Sequence, residues 1–198
     1  MTLPFSEACE KNKQPILAVI QPLFEKTASV VEIGSGTGQH VEFFAASMPA
    51  TQWQPTDRAD SLAVIEARRA VSGLSNYLRP LELDVSAAWP VNQVENIFTA
   101  NTLHIMSWTA VEHCFDGIGR VLVEGGLVCI YGPFNYQGQY TSESNARFDA
   151  WLKQRDPNSA IRDFEAIERL ANKAGLALQQ DVAMPANNRC LVFKKTRG

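Results

Sequence analysis

One short stretch carries the residue types and spacing best suited to chemistry, Glu32-Ile33-Gly34-Ser35-Gly36-Thr37-Gly38. An apolar, β-branched run, Val30 to Ile33, ends in three alternating glycines. The next segment, His40 to Ala46, carries Val41, Phe44 and Ala45 at helical spacing. Strand, tight turn and helix in that order make the opening βα unit of a doubly wound α/β domain. Glycine lets a ligand press against bare backbone, and a helix start turns its free N–H groups towards that ligand. The stretch therefore predicts a nucleotide-type ligand on Gly34, Ser35, Gly36 and Gly38, at the carboxyl end of the first strand. The spacing is not that of a dinucleotide site. That fingerprint needs Gly-x-Gly-x-x-Gly, and Gln39 stands where its third glycine belongs. A glycine turn that joins strand to helix without any ligand is the other reading.

Further candidates fall at the ends of later strands. Asp57 lies about twenty residues beyond the turn, where such a domain places the acid that accepts hydrogen bonds from ribose hydroxyls. Its competing role is to cap the helix expected over Asp60 to Ser72. Asp84-Val85 closes the third strand, and Asp84 also suits a helix cap before Ala87. Asn101 and His104 follow the fourth strand into the crevice that forms outside strand ends. Asn101 can donate and accept, so it can orient substrate or ligand. His104 is the histidine placed to take a substrate proton; a loop histidine held by a backbone carbonyl is the alternative. Tyr131, Tyr136 and Tyr140 fall beside the same crevice, the last two in a polar, aromatic loop from Asn135 to Ser144 that suits substrate shaping. Asn12, in a polar arm around Glu10 to Asn12, is expected to fold over the crevice and exclude water, against the default of a frayed terminus.

These residues need a sheet to carry them. After an arm and helix over residues 1–27, with Pro15 in the helix's first turn, strands are expected at Val30–Ile33, Thr51–Pro55, Tyr77–Leu83, Val94–Ala100 and Leu127–Tyr131. Helices are expected at His40–Ala46, Asp60–Ser72 and Trp108–Val123, the last stopped by Gly125-Gly126, and then at Ala146–Leu152 and Asp163–Ala174. Leu176–Met184 and Cys190–Lys194 make a closing hairpin. No linker or repeat divides the chain, so residues 1–198 are expected to form one domain.

Composition narrows the classes. A length of 198 residues suffices for one α/β domain with a full core. The net charge is −3 and the basic residues are scattered, which speaks against nucleic acid. No apolar run reaches the roughly 20 residues of a membrane span, and Met1 to Glu10 has no signal-peptide pattern. The four cysteines form no Cys-x-x-Cys and the three histidines are not at ligand spacing, so no metal is expected and the thiols read as buried and free in a cytoplasmic protein.

Glu32 two positions before Gly34, with the Gly34/Gly36/Gly38 turn, resembles motif I of class I S-adenosylmethionine methyltransferases. The order of elements and the acids at three strand ends fit that family too. The resemblance implies an α/β, doubly wound, seven-stranded and mostly parallel sheet of order 3-2-1-4-5-7-6, strand 7 antiparallel. It implies S-adenosylmethionine as cofactor and S-adenosylhomocysteine as product. It puts Glu32 near the methionine amino end, Asp57 on the ribose, and Asp84 with the neighbouring Val85 N–H on adenine. A closer resemblance, to the group that includes methyltransferase-like protein 26, is carried by Glu10-Lys11-Asn12-Lys13-Gln14-Pro15-Ile16-Leu17, Gly34 to His40, Trp53-Gln54-Pro55-Thr56-Asp57, Tyr131-Gly132-Pro133-Phe134 and Met184 to Cys190.

The expected activity is methyl transfer to a small-molecule acceptor, with His104 as base and Asn101 as orienting residue. The alternative is an S-adenosylmethionine-binding protein without transfer activity, acting through a protein partner. A nicotinamide dehydrogenase is disfavoured by the glycine spacing and by the lack of any Tyr-x-x-x-Lys. The acceptor and the oligomeric state stay open.

Overall fold

The computed structural model describes residues 3–196, so the ends of the expected 1–198 unit lie outside the described residues. Alternation along the strands builds a sheet with two apolar faces. In β1 (Ser29–Ile33), Val30 packs into one core and Val31 and Ile33 into the other. α1 (Glu7–Phe24), α2 (Gln39–Ser47) and α3 (Leu62–Ser72) cover the first face. α4 (Trp108–Val121) and, after α5 (Glu143–Arg155), α6 (Phe164–Lys173) cover the second.

The remaining strands are β2 (Gln52–Asp57), β3 (Leu81–Glu82), β4 (Val94–Ala100), β5 (Leu122–Gly132), β6 (Phe134–Asn135), β7 (Arg162–Asp163), β8 (Leu176–Met184) and β9 (Asn188–Lys195). Seven make one sheet of order β3-β2-β1-β4-β5-β9-β8, while β6 and β7 pair separately. Counting the seven alone, this is the expected 3-2-1-4-5-7-6, with β9 antiparallel to both neighbours. Parallel register aligns Ile33 with Thr56 and with Thr99. Gly34, Asp57 and Asn101 therefore leave the sheet at one edge. The start of β9 returns to that edge, because Gly132 pairs with Arg189.

Several expectations are corrected. The arm around Glu10 to Asn12 is helix: α1 begins at Glu7, where the Ser6 side chain accepts from the Cys9 N–H at 3.3 Å. Pro15 thus sits in mid-helix. The helix survives two prolines because Ile16, Ile20 and Phe24 are wholly buried against the sheet. Gly125-Gly126 does not stop α4, which ends at Val121; both lie in β5 at a register shift against β4. A Cβ on Gly126 would stand 2.5 Å from the Glu95 carbonyl oxygen, so the glycine answers a close strand approach rather than a cap. The third strand shrinks to Leu81–Glu82, with Tyr77 making only an isolated bridge to Trp53. Cys129 and Cys190, distant in sequence, bring their sulfurs to 2.9 Å across β5 and β9 as free thiols. No helix among the described residues is long and apolar enough to cross a membrane.

Phe44 anchors the first core. Its ring meets Trp53 at 5.3 Å, Phe98 at 5.3 Å edge-on, and His40 at 5.4 Å stacked. Replacing it empties a fully buried site at the junction of α2 and the sheet. Phe44→Ala is expected to cost about 3–5 kcal/mol in urea unfolding. A loss below about 1 kcal/mol would mean that this site collapses freely and is not an anchor.

Candidate functional site

The glycine turn is built against the end of β2. The N–H groups of Gly34 and Ser35 both donate to the Thr56 carbonyl, at 2.9 and 3.0 Å. A Cβ on Gly34 would lie 2.7 Å from Thr102 Cγ2, and one on Gly38 would collide with the Tyr77 hydroxyl. Gly36, at φ +55, would meet nothing within 4 Å. Gly34 and Gly38, left-handed at φ +73 and +74, are thus glycine for packing as well as for backbone, while Gly36 leaves open space above its backbone in the cleft.

Asp57 and Asp84 line that cleft with the turn. Asp57 accepts from the Gly36 N–H at 2.6 Å and the Arg58 N–H at 2.7 Å. It caps no helix, since α3 starts after Ser61 without any side-chain cap. A carboxylate has capacity for about four hydrogen bonds, so Asp57 keeps accepting positions towards the cleft. Asp84 Oδ1 accepts from the Ser86 N–H at 2.9 Å, and no helix begins at Ala87. Asp84 forms a tight bend, with Val85 beside it in the cleft wall.

Glu32 is 1 % exposed, and its Oε2 has no hydrogen-bond partner among the described residues. Burial pushes its carboxyl up to about 8; the Ser35 hydroxyl opposes this and the Asp57 charge adds to it. The Ser35 hydroxyl is itself buried and unpartnered, so it lies near the carboxyl without a proper hydrogen bond. His40 was not among the sequence candidates. Its Nε2 meets Asn12 Oδ1 at 2.7 Å, which assigns the proton to Nε2. Burial, then the Lys13 charge, pulls the imidazole down to about 4. At neutral pH a protonated Glu32 and an uncharged His40 face each other, so their 4.0 Å approach is no ion pair.

Two cavities meet here. The first, of about 650 Å³, holds the glycine turn, Asp57, Asp84 and Asn101. The second, of about 930 Å³, is walled by Asn12, His104, Tyr131, Phe148 and Trp151. Ala8, Asn101, Ile105 and Asp156 belong to both. Asn101 is left-handed at φ 57, its N–H held by the Tyr131 carbonyl at 2.8 Å. Backbone strain of this kind costs about 1–3 kcal/mol and clusters where sites are built. His104 is 6 % exposed, edge-on to Phe148 at 5.3 Å. Burial, then the Arg162 charge, lowers its pKa to about 4, and no backbone carbonyl holds its ring among the described residues. Burial raises the Tyr131 hydroxyl, with the Asn12 amide opposing.

Two of the expected residues are elsewhere. Tyr136 donates to Asp181 at 2.7 Å and stacks on Phe164, and Tyr140 donates to Asp149 at 2.7 Å. Neither lines either of these two cavities; of the loop from Asn135 to Ser144, only Ser144 reaches the second. α5 takes that place, bringing Phe148 and Trp151, whose spacing from the other site residues gives no sequence signal. No cluster of metal-ligating side chains occurs among the described residues.

Residues 3–195 match the sequence profile of DUF938, described as a protein of unknown function. The chain belongs to that family. Its fold is shared with solved methyltransferases. An O-methyltransferase family protein from Burkholderia thailandensis superposes with a TM-score of 0.84 at 15 % identity, over 97 % of this chain and 58 % of the other. Human N-acetylserotonin methyltransferase, solved in complex with SAM, gives 0.80 at 14 %, over 96 % and 53 %. The methyltransferase SibL gives 0.81 at 20 %, over 96 % and 56 %. This chain thus spans a little over half the length of these structures. At such identities the likeness is one of fold: a Rossmann-like methyltransferase sheet.

Glu32 has a signature in solution. Its ordinary value is 4.5 and its folded value about 8, so between those pH values the folded protein holds a proton that the unfolded chain has released. Stability from this group therefore falls as pH rises through that window. Glu32→Gln is expected to raise the thermal midpoint relative to the parent protein, by a margin that widens from about pH 5 to about pH 8 and then levels. A margin that stays flat across this range would show an ordinary, ionised Glu32.

Proposed function

We propose that this chain transfers a methyl group from S-adenosylmethionine to an uncharged small-molecule acceptor. The observation that carries the reading is the meeting of two cavities at Asn101, one lined by the glycine turn and acids, the other by aromatic rings and an uncharged imidazole. The fit to the cofactor rests on two orphaned buried atoms, Glu32 Oε2 and Ser35 Oγ, and on the open face of Gly36. Glu32 would take the ammonium of the methionine end, Asp57 the ribose hydroxyls, and Asp84 with the Val85 N–H the adenine. The resemblance to the methyltransferase-like protein 26 group, and neighbours described as O-methyltransferases, support the same reading.

When bound, the cofactor supplies an electrophilic methyl carbon. The residues of the chain then have to bring a nucleophile into line with it. Asn101 stands at the junction and orients the acceptor. His104, uncharged at neutral pH, has a free nitrogen lone pair to receive the acceptor's hydroxyl proton. Phe148 and Trp151 from α5, with Ala8 and Asn12 from α1, wall the acceptor cavity against water. Asn12 thus takes part as helix wall rather than as a loose arm. The charged lining residues Glu7, Lys11, Arg155 and Asp156 are all exposed and belong to the mouth, which favours an uncharged body for the acceptor.

Calorimetry with S-adenosylhomocysteine tests the cofactor. Binding is expected in the parent protein, weakened by about 1–3 kcal/mol in Asp57→Ala through loss of charge-assisted bonds. Gly36→Ala is expected to fold, at a cost of about 1–2 kcal/mol for a left-handed alanine, and to abolish that heat. No heat in the parent at millimolar ligand, with NAD binding instead, would sink the proposal. A screen for methyl transfer over metabolite extracts then identifies the acceptor.

A further inference from the structure

We infer that Arg162 is a positioning residue for His104, the core of a clamp that holds the loop 103–106 in one conformation. Four consecutive carbonyls of that loop accept hydrogen bonds from one short segment. Arg162 Nε donates to Leu103 O at 3.0 Å, the Ala160 N–H to His104 O at 3.0 Å, Ser159 Oγ to Ile105 O at 2.8 Å, and Arg162 Nη2 to Met106 O. Nη2 also donates to Asn158 O at 3.0 Å, and the guanidinium lies 5.8 Å from the Trp108 ring centroid. A loop at a surface crevice would ordinarily satisfy such carbonyls with water.

The clamp reaches on to the cavity wall. The Ile161 N–H donates to Asp149 Oδ1 at 2.7 Å, and Asp149 on α5 is further held by Lys153 at 2.6 Å and Tyr140 at 2.7 Å. α5 carries Phe148, which packs edge-on against His104. The loop bearing His104 and the helix roofing the acceptor cavity are therefore joined through residues 159–162. Arg162 is 8 % exposed, and among the described residues its guanidinium is hydrogen-bonded to carbonyls alone, Asp149 acting on it through space. Burying a guanidinium without a bonded carboxylate is costly, and the single ammonium of a lysine could not reproduce the planar spread of Nε and Nη2. The Arg162 charge also helps to keep the His104 ring unprotonated. The other charged groups around the ring's cavity, Glu7, Lys11, Arg155 and Asp156, lie at its exposed mouth.

The role of His104 rests on the proposed methyl transfer, but the clamp can be tested without an acceptor. The chain has three histidines, so their imidazoles can be assigned by substitution and titrated by NMR in the whole protein. In Arg162→Met the apparent pKa of His104 is expected to rise by about one pH unit, through lost repulsion and gained hydration, while that of His40 stays put. In Arg162→Lys the charge remains and the fork is lost. His104 should then titrate nearer the parent value, and the Ile105 and Met106 amides, both bonded to Thr102 O, should exchange faster by on the order of tenfold. Ser159→Ala, which removes only the Ile105 bond, gives the same exchange readout if Arg162→Met fails to fold. Variants that lose thermal stability yet keep parental His104 titration and loop exchange would overturn the clamp and leave a merely structural arginine. Intact S-adenosylhomocysteine binding alongside that result would spare the methyl-transfer proposal. A parent protein that binds no cofactor but shows the expected shifts would sink the transfer reading and keep the clamp.

Discussion

Everything at this site depends on the parallel register of three strands. Ile33 stands beside Thr56 on one side and Thr99 on the other. That alignment makes Gly34, Asp57 and Asn101 leave the sheet together, and it lets one carbonyl, that of Thr56, hold the first two N–H groups of the turn. The turn, in turn, has no freedom to shift. Gly34 is wedged under Thr102 and Gly38 under Tyr77, so the middle glycine is presented to the cleft by its neighbours' packing. A one-residue slip of β1 would send its side chains to the opposite faces and undo both cores.

A second constraint ties α1 to that frame. The glycine turn receives Arg68 Nε at the Thr37 carbonyl, and the same guanidinium reaches the Pro4 carbonyl. Gln39 Oε1 accepts from the Ser6 N–H, and His40 binds Asn12. These contacts bring the first turns of α1 against the turn, where Ala8 walls both cavities. Asn12, Gln39 and His40 are buried there beside Glu32, and both Glu32 and His40 stand uncharged at neutral pH. In a low-dielectric interior that state avoids the cost of two isolated charges.

The residue pattern alone marked the opening βα unit and its glycine turn; the order of the sheet came only with the family resemblance. Local periodicity is short-ranged, so a β-branched run ending at Gly34-x-Gly36-x-Gly38 announces a βα unit whatever surrounds it. Asp57 and Asp84 were legible because each falls where a strand of that same repeating pattern gives way to a loop, Asp57 closing β2 and Asp84 standing two residues past β3. Other features depended on distant partners. Pro15 marks a helix start by local rules, yet α1 runs through it because three wholly buried residues hold the helix to the sheet. Gly125-Gly126 reads as a stop, but the approach of β4 makes it a bulge.

The second cavity was decided by tertiary structure. Tyr136 and Tyr140 have the composition of a binding loop, but pairing of β6 with β7 turns them towards Asp181 and Asp149. Phe148 and Trp151 fill that place from a helix whose sequence carries no sign of it. His40 and Arg162 gained their environments only by burial beside Asn12 and beneath the carbonyls of residues 103–106. Periodicity along a chain encodes which face of an element is apolar. It does not encode which remote backbone groups will need a donor once that face is buried, and those long-range needs placed the residues around the second cavity.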